Sequence, residues 1–384
     1  MSTWPGKFVI GLTGNIATGK SVVRKMLEHL GAYGIDADAL GHRAIAKGAP
    51  GYQPLVDTFG KWILGPDGEI DRRKLGRLAF ADPEIMRQVE AIVHPLVGQA
   101  IHWLVKRTNK SVVVIEAIKL LETDLRKSCD SIWVVTAPPE LQLARLVQKR
   151  GLPASEAKLR IAAQGDPEAK IAAADVVIYN DGSFEKTWEQ VKKAWKLVVP
   201  QEAETSPITV ARKRAEVLGQ GKAEALKVQK AGPKQAGEIA AFLSKVTGQQ
   251  VSRADVLAAF GEKAYLLLRR GETLVGLLGW QVENLVSRIN EFHLLPEISL
   301  EEAAPLMLEE MERGSRELQC EAALLFLPPA QAEKSQIWES LGYKRREPAS
   351  LGMRAWQEAA RESQPPGTVL LFKQLRQDRV LQPL

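Results

Sequence analysis

The sequence predicts two domains of different class: an α/β domain with a mainly parallel sheet and a phosphate-binding loop, then a smaller α+β domain. Three observations carry this. A chain of 384 residues is longer than one hydrophobic core usually serves. Strands rich in Val and Ile alternate with helical patterns through the first 200 residues, the signature of a parallel sheet covered on both faces. The stretch "VIGLTGNIATGKSVV", Val9 to Val23, reads as buried strand, glycine-bounded loop and helix.

Taken in order, the expected strands of the first domain are Phe8–Leu12, a short piece near Gly34–Asp36, Ser111–Glu116, Ser131–Thr136 and Val176–Tyr179. In such a sheet ligands bind at the carboxyl ends of the strands. The polar, proline-bounded segment Pro200 to Pro207 follows a helix ending near Leu197 and reads as a linker. A cut at about residue 203 gives domains 1–203 and 204–384, with a connecting helix over Val210–Ala225. Beyond it the patterns predict a strand at Ala225–Gln229, a helix at Gln235–Val246, and a hairpin of Lys263–Arg269 and Leu274–Val282 around Arg270-Gly271-Glu272-Thr273. A helix around Ala303–Leu318, a strand at Glu321–Leu327, a helix with Ile337 and Leu341, and a last strand at Thr368–Lys373 complete an α+β arrangement.

Hydrophobic residues at 45% and charged residues at 26% are ordinary for a globular protein, and no apolar run reaches the roughly 20 residues of a membrane span. No membrane partner is expected. The N-terminus runs straight into the first strand and leaves no room for a signal peptide, so the expected location is cytoplasmic. Cys129 and Cys320 lie far apart, which argues against a disulfide framework or a thiolate metal site; both are expected to be buried. The net charge of +6 resides in the first half, with 28 Lys+Arg against 22 Asp+Glu in residues 1–200 and 24 against 24 thereafter. The excess is scattered with no basic arm, which favours small polyanionic ligands over nucleic acid.

The loop Gly14-Asn15-Ile16-Ala17-Thr18-Gly19-Lys20-Ser21 satisfies G-x-x-x-x-G-K-S in the strand–loop–helix context this motif requires. Its N–H groups and the helix N-terminus suit phosphate oxygens, Lys20 the β/γ-phosphates, and the Ser21 hydroxyl a Mg²⁺ ion. By itself the loop leaves kinases, GTPases, ATPases and motors open. In Gly34-Ile35-Asp36-Ala37-Asp38, a strand ending in carboxylates at i and i+2 would carry Asp36 and Asp38 on one side to the ligand-bearing edge. Phosphoryl transfer to an alcohol needs such a carboxylate beside the attacking hydroxyl.

Several motifs together resemble the dephospho-CoA kinase family over about residues 8–195: "GLTGNIATGKS", "GIDADAL", "FADPE", "IVHPLV" and "AQGDPEAKIAAADVVIYNDGS". The resemblance implies ATP-dependent phosphorylation of the ribose 3′-hydroxyl of dephospho-CoA, with ATP and Mg²⁺ as the cofactors. It implies Asp38 as general base, and Asp36, His94 and Glu122 on the acceptor side. It implies Lys20 and Arg145 as catalytic cations, Arg145 coming from a mobile lid that also carries Arg150. Asn180 falls in a region that in the family passes near the adenine. By its own chemistry a lone His before Pro reads as a capped helix start. Asn15 and Ala17 replace glycines that are usual in the family's loop, and of the two Asn15 tolerates a positive φ better. Glu116, Ile118 and Lys119 replace an aspartate, a proline and a leucine, and Gly98 replaces a common basic residue, all on the acceptor side.

In the second half "EALKVQKAGPKQAGEIAAFL", "AYLLLRRGETLVGLLGW" and "IWESLGYKRRE" resemble the GNAT-type acetyltransferase fold. Where that fold cradles a diphosphate on a glycine-rich loop, this chain reads "LLPEISLEEAAPLMLEE", lacking glycine and rich in acids. The expectation is a non-catalytic binding or regulatory module for an acyl-CoA, a partner or another copy of the chain. The alternatives for the whole are a kinase of another small hydroxyl acceptor and a nucleotide-binding sensor without turnover.

Overall fold

The computed structural model describes residues 3–200, 225–283 and 285–377, with two sheets. The linker expected at Pro200–Pro207 and the connecting helix expected at Val210–Ala225 lie outside the described residues, apart from Pro200 and Ala225.

The first sheet contains β1 (Phe8–Thr13), β2 (Tyr33–Asp36), β3 (Val112–Glu116), β4 (Ser131–Thr136) and β5 (Val176–Tyr179), in the order β2-β3-β1-β4-β5 and parallel throughout. Alternate side chains along the strands divide between two cores, as period two requires. Ile10, Leu12, Val114, Trp133 and Val135 pack with Val23, Met26 and Leu27 of α1 (Lys20–His29), and the same cluster takes in Val191, Ala194 and Trp195 of the last helix of this half, Phe184–Val198. Val9, Val113, Ile115 and Val134 face the other way, onto Leu40 of α2 (Ala37–Ala44) and Ala100, Ile101 and Leu104 of the helix Pro83–Arg107. Because β3 and β4 flank β1 on opposite sides, the chain leaves β1 at the sheet's switch point, where a crevice opens for ligand.

Each expected strand is present within a residue or two. The expected strand carrying both Asp36 and Asp38 is corrected: β2 stops at Asp36, whose carboxylate accepts the Ala39 N–H at 2.9 Å and caps α2, so Asp38 lies in the first turn of a helix. His94 is likewise not at a helix start. It sits exposed in the middle of Pro83–Arg107, a helix capped by Asp82 that runs through Pro95. Burial of Ala100, Ile101, Leu104 and Val105 along that helix offsets the hydrogen bond that Pro95 removes. Cys129 is half-buried rather than buried, with its Sγ donating to Leu125 O, whereas Cys320 is buried; both are free thiols.

The second sheet has the order β11-β12-β10-β9-β8-β7-β6, formed by β6 (Leu226–Lys230), β7 (Ala264–Arg270), β8 (Thr273–Glu283), β9 (Val286–Leu294), β10 (Ala322–Leu327), β11 (Lys344–Arg345) and β12 (Val369–Gln374). All neighbours are antiparallel except β9 and β10. The hairpin expected around Gly271 joins β7 to β8, with Gly271 at φ 58°. Helices Ala236–Thr247 and Leu300–Glu317 cover the sheet, with Met307, Leu308 and Met311 in its core beside Trp280 and Trp338. This is the expected α+β arrangement. Helices Arg253–Ala259 and Arg354–Ser363 are additions that the sequence reading lacked.

The two sheets meet behind α2. Arg43, one helical turn from Ala39, makes a 2.5 Å ion pair with Glu321 at the start of β10, and both side chains are buried. Leu285 and Leu318 pack into the first sheet's cluster of Tyr33, Ile35, Leu40 and Leu104. Further bridges are His29 to Phe260 O at 3.0 Å, Lys110–Glu317, Arg253–Glu185 and Arg354–Asp67. Removing one partner of a buried pair strands the other charge. Glu321→Gln should therefore lower stability by about 3–5 kcal/mol, read as an earlier urea transition, while Arg43→Met with Glu321→Leu recovers most of the loss. An unchanged transition in Glu321→Gln would remove the pair from any part in docking.

Candidate active site

The loop after β1 takes its shape from backbone that only certain residues adopt. Gly14 has φ 147°, and a Cβ there would lie 2.2 Å from Val135 O. Gly19, at φ 97°, caps α1 and leaves no room for a Cβ, which would lie 2.0 Å from Asn180 Nδ2. The third left-handed residue is Ala17, at φ 57°. Of the two replaced glycines it is thus Ala17, the less tolerant, that takes the strained conformation, at a cost of roughly 1–2 kcal/mol. Asn15 has no positive φ; its carbonyl accepts from Thr18 Oγ1 at 2.9 Å and Lys20 Nζ at 3.3 Å. Lys20 is buried and begins α1, whose first turn carries no acid. A helix N-terminus with an ammonium group at its first residue is an anion site.

Other residues brace this loop. Arg145, half-buried, donates to Ala17 O, Thr18 O and Asn180 O at 3.1, 3.2 and 2.8 Å. Asn180 is buried, its amide donating to Thr18 O at 2.8 Å and accepting from Thr187 Oγ1 at 3.1 Å. From the turn after the helix Ala154–Ala162, Gln164 Oε1 accepts the Ile16 N–H at 2.6 Å and Gly165 O accepts from Asn15 Nδ2. A phosphate oxygen taking the Ile16 donor therefore displaces Gln164. The side chain of Arg150 lies outside the described residues.

Beside the loop stands a cluster of carboxylates. Ser21 Oγ donates to Glu116 Oε1 at 2.9 Å, and Arg24 Nε to Glu116 Oε2 at 2.8 Å. Burial works against the Arg24 charge, but Glu28, Glu116 and Asp36 more than offset this and hold it protonated. Burial, then Glu116, raises Asp36 above the ordinary carboxylate range. Asp38 stands at the open side, its carboxylate accepting from Ile118 N at 3.2 Å. Withdrawal from water and then the Asp36 charge push it up to about 6, against the pull of Lys20 and the Ile118 N–H. Lys170 donates to Ile118 O at 3.1 Å; burial lowers its pKa, opposed by Glu122 and Asp38. So Lys20, Asp36, Asp38 and Glu122 come together electrostatically, while His94 is set on the solvent side of its helix.

Among the described residues no cluster of three or more His, Cys, Asp or Glu is placed to hold a metal, and no helix is long and apolar enough to cross a membrane. Ser21 and Glu116 do offer adjacent hard oxygens. They fit Mg²⁺, which keeps several waters and substrate phosphates in its shell and needs few protein ligands. Sequence reasoning missed Glu116 as the hub of the cluster, as well as Lys170 and Gln164. The last two sit inside the quoted "AQGDPEAK", a visible signal, whereas Glu116 registered only as a departure.

A carboxylate whose pKa is raised on folding destabilises the protein wherever the unfolded chain would ionise it, so the penalty is absent below about pH 4, grows between about 4 and 6, and is fully present above about pH 6. Asp38→Asn should accordingly be more stable than the parent at pH 7. The difference should shrink as pH falls from 6 to 4, read from thermal midpoints across that range. A difference constant with pH would remove the raised Asp38 from the account.

The profile of the dephospho-CoA kinase family matches residues 8–186. The dephospho-CoA kinase of Symbiobacterium thermophilum is 44% identical over 191 residues, spanning 49% of this chain and 80% of the relative. That of Geobacter metallireducens is also 44% identical over 191 residues, spanning 49% of this chain and 95% of the relative. For the other half, the PaiA N-acetyltransferase of Thermoplasma acidophilum, solved with coenzyme A, is similar at 12% identity and a TM-score of 0.30, over 39% of this chain and 99% of that one. At 44% identity over 80% and 95% of the length of those two kinases, this chain belongs to the dephospho-CoA kinase family.

Proposed function

We propose that the N-terminal half transfers the γ-phosphoryl group of ATP to the ribose 3′-hydroxyl of dephospho-CoA, giving CoA and ADP, with Asp38 as the base. The observation that carries this is the position of Asp38 in the first turn of α2, at the open side beside the glycine-lysine loop, its carboxylate accepting the Ile118 N–H at 3.2 Å; the neighbouring charges accord with this, pushing it up to about 6. A base tuned close to neutrality is ionised at pH 7 yet basic enough to draw on an alcohol proton.

The loop N–H groups from Gly14 to Ser21 and the Lys20 ammonium hold the β- and γ-phosphates of ATP. Ser21 and Glu116 are the residues that would hold Mg²⁺, which when bound would supply charge neutralisation at those phosphates. Asp38 takes the 3′-hydroxyl proton as that oxygen bonds to the γ-phosphorus and the bond to the β-phosphate oxygen breaks. Asp36, assigned to the acceptor side, also caps the helix and so positions Asp38, and its charge raises the base. Arg145, clamped on Ala17 and Thr18, fixes the loop and brings positive charge to its edge. Asn180 braces the nucleotide side, and Glu122 and His94 are assigned to the acceptor side.

The division into domains 1–203 and 204–384 is part of this proposal, as is a cytoplasmic location. The C-terminal domain is assigned a binding or regulatory role without turnover. The helix Leu300–Glu317 opens with Glu301 and Glu302, which repel a diphosphate at its N-terminus.

Purified protein with ATP, Mg²⁺ and dephospho-CoA should form ADP and CoA in equal amounts. Turnover only with another alcohol, or nucleotide binding without turnover, would overturn the assignment. Asp38→Asn should lower kcat by about 10²–10⁴ with the ATP Kd little changed, the range typical of lost acid–base catalysis. In the parent kcat/KM should rise with pH through about 6 and level off, because the base works ionised; the residual activity of Asp38→Asn should lack that limb.

A further inference from the structure

Ile118 lies just past the end of β3, at the ligand-bearing edge of the first sheet, and its backbone is gripped from three sides. Its N–H donates to Asp38 Oδ2 at 3.2 Å. Its carbonyl accepts from Thr13 Oγ1, at the end of β1, and from Lys170 Nζ, both at 3.1 Å. The preceding N–H, on Ala117, donates to Leu12 O at 3.0 Å and continues the register of β3 on β1. Ile118 thus joins the base to the sheet and to a cation that arrives from a third element.

That element is the helix Pro167–Ala172. Asp166 caps it, accepting the Glu168 N–H at 3.0 Å, and Ile171 and Ala174 pack on the core of the first sheet. Just ahead of it Gln164 and Gly165 rest on Ile16 and Asn15 of the phosphate loop. Lys170 is therefore held from both ends, and only 7% of it is exposed. It closes no ion pair among the described residues, although a buried ammonium is costly unless its charge is met. Glu122 and Asp38 are the charges that meet it, opposing the lowering that burial imposes.

A carboxylate base works best with one oxygen fixed and the other turned to the incoming proton. The Ile118 N–H occupies Oδ2 and leaves Oδ1. The charged groups facing Asp38 are Asp36 from the end of β2, Lys20 from α1, Glu116 from β3 and Lys170; the two cations and the N–H favour its ionised form, and the two acids oppose it. Proline, the residue that Ile118 replaces, has no N–H to give. We infer that Ile118 and Lys170 are positioning residues for the base: Lys170 fixes the Ile118 carbonyl beside Thr13, and the Ile118 N–H fixes Oδ2 of Asp38 so that Oδ1 meets the acceptor hydroxyl. Neither residue touches the reacting atoms. The inference rests on the kinase reading for the role of Asp38, and adds a hold on it that a proline at 118 cannot provide.

The first test is the pH profile of turnover with ATP, Mg²⁺ and dephospho-CoA. Because the base works ionised, removing a donor or a cation that favours the ionised form moves the acid limb of kcat/KM to higher pH. Ile118→Pro and Lys170→Met should each move it up by about half a pH unit or more and lower kcat about tenfold to a hundredfold, with the ATP Kd changed less than about twofold. Ile118→Ala, which keeps the N–H, should leave the limb in place, and Lys170→Arg should return most of the loss. The second test needs no turnover. The gain in thermal midpoint from Asp38→Asn levels off with pH where Asp38 is fully ionised, and with Lys170→Met in both proteins that pH should rise by the same shift. The inference is overturned if both variants leave the limb and the level-off pH unmoved, or if Ile118→Ala acts as Ile118→Pro does. It is also overturned if Lys170→Met weakens ATP binding in proportion to kcat, which would place the lysine on the nucleotide. A parent without turnover in which the level-off pH still shifts would sink phosphoryl transfer and leave the hold on Asp38 standing.

Discussion

The hydrogen bond from Ala39 N–H to the Asp36 carboxylate fixes where the important charges of this protein meet. It ends β2 and begins α2, so Asp38 enters in the first turn rather than on the strand. The same helical phase turns Leu40 inward onto the sheet and Arg43 toward Glu321. One cap therefore sets both the base's place beside the nucleotide loop and the surface on which the second sheet rests. Without the cap the first turn of α2 has a free donor and no fixed start, and both relationships loosen.

Much of the fold was legible because burial enforces pattern. The fully buried β3 reads as a run of Val and Ile up to its last residue, Glu116, and β4 and β5 begin and end at the residues the pattern indicates. The loop was legible because no other chemistry requires glycine, lysine and serine at that spacing. What escaped depended on contacts distant in sequence. The long helix through Pro95 persists because its flank is buried against the sheet, and local propensity argues against it. The role of Glu116 arises only when β3 lies beside β1 and brings it to Ser21 and Arg24, 95 and 92 residues away in the chain. The exchange of strand for helix at Asp38 turned on a single capping bond. Period-two reasoning had no means of weighing it.

The loop shows how a substituted motif keeps its shape. Ala17 holds a conformation that glycine would adopt freely, and the carbonyls around it are those grasped by Arg145. Strain of roughly 1–2 kcal/mol is sustained where surrounding bonds over-determine the backbone, and bonds to a charged donor contribute about 1.5–3 kcal/mol each. Two such bonds suffice to hold Ala17 in place. The arginine that the family resemblance assigns to the lid thus has a second task in this chain, to secure a loop short of its usual glycines.

The same reasoning bears on how firmly the two halves are joined. Leu285 also has a left-handed backbone, at φ 60°, and its carbonyl accepts the Glu321 N–H at 2.7 Å. Its side chain lies against the cluster of Tyr33, Ile35, Leu40 and Leu104 in the other half. Full burial of a leucine contributes about 1.5–3 kcal/mol, and partial burial less, so the contact roughly offsets the strain and leaves little surplus. Arg43 and Glu321 contribute orientation more than surplus, because the cost of burying both charges offsets most of their attraction. A junction built this way tolerates little relative movement, because shifting Glu321 disturbs the backbone bond to Leu285 and the ion pair to α2 together. The helix that carries the base is thereby held from behind by the appended half.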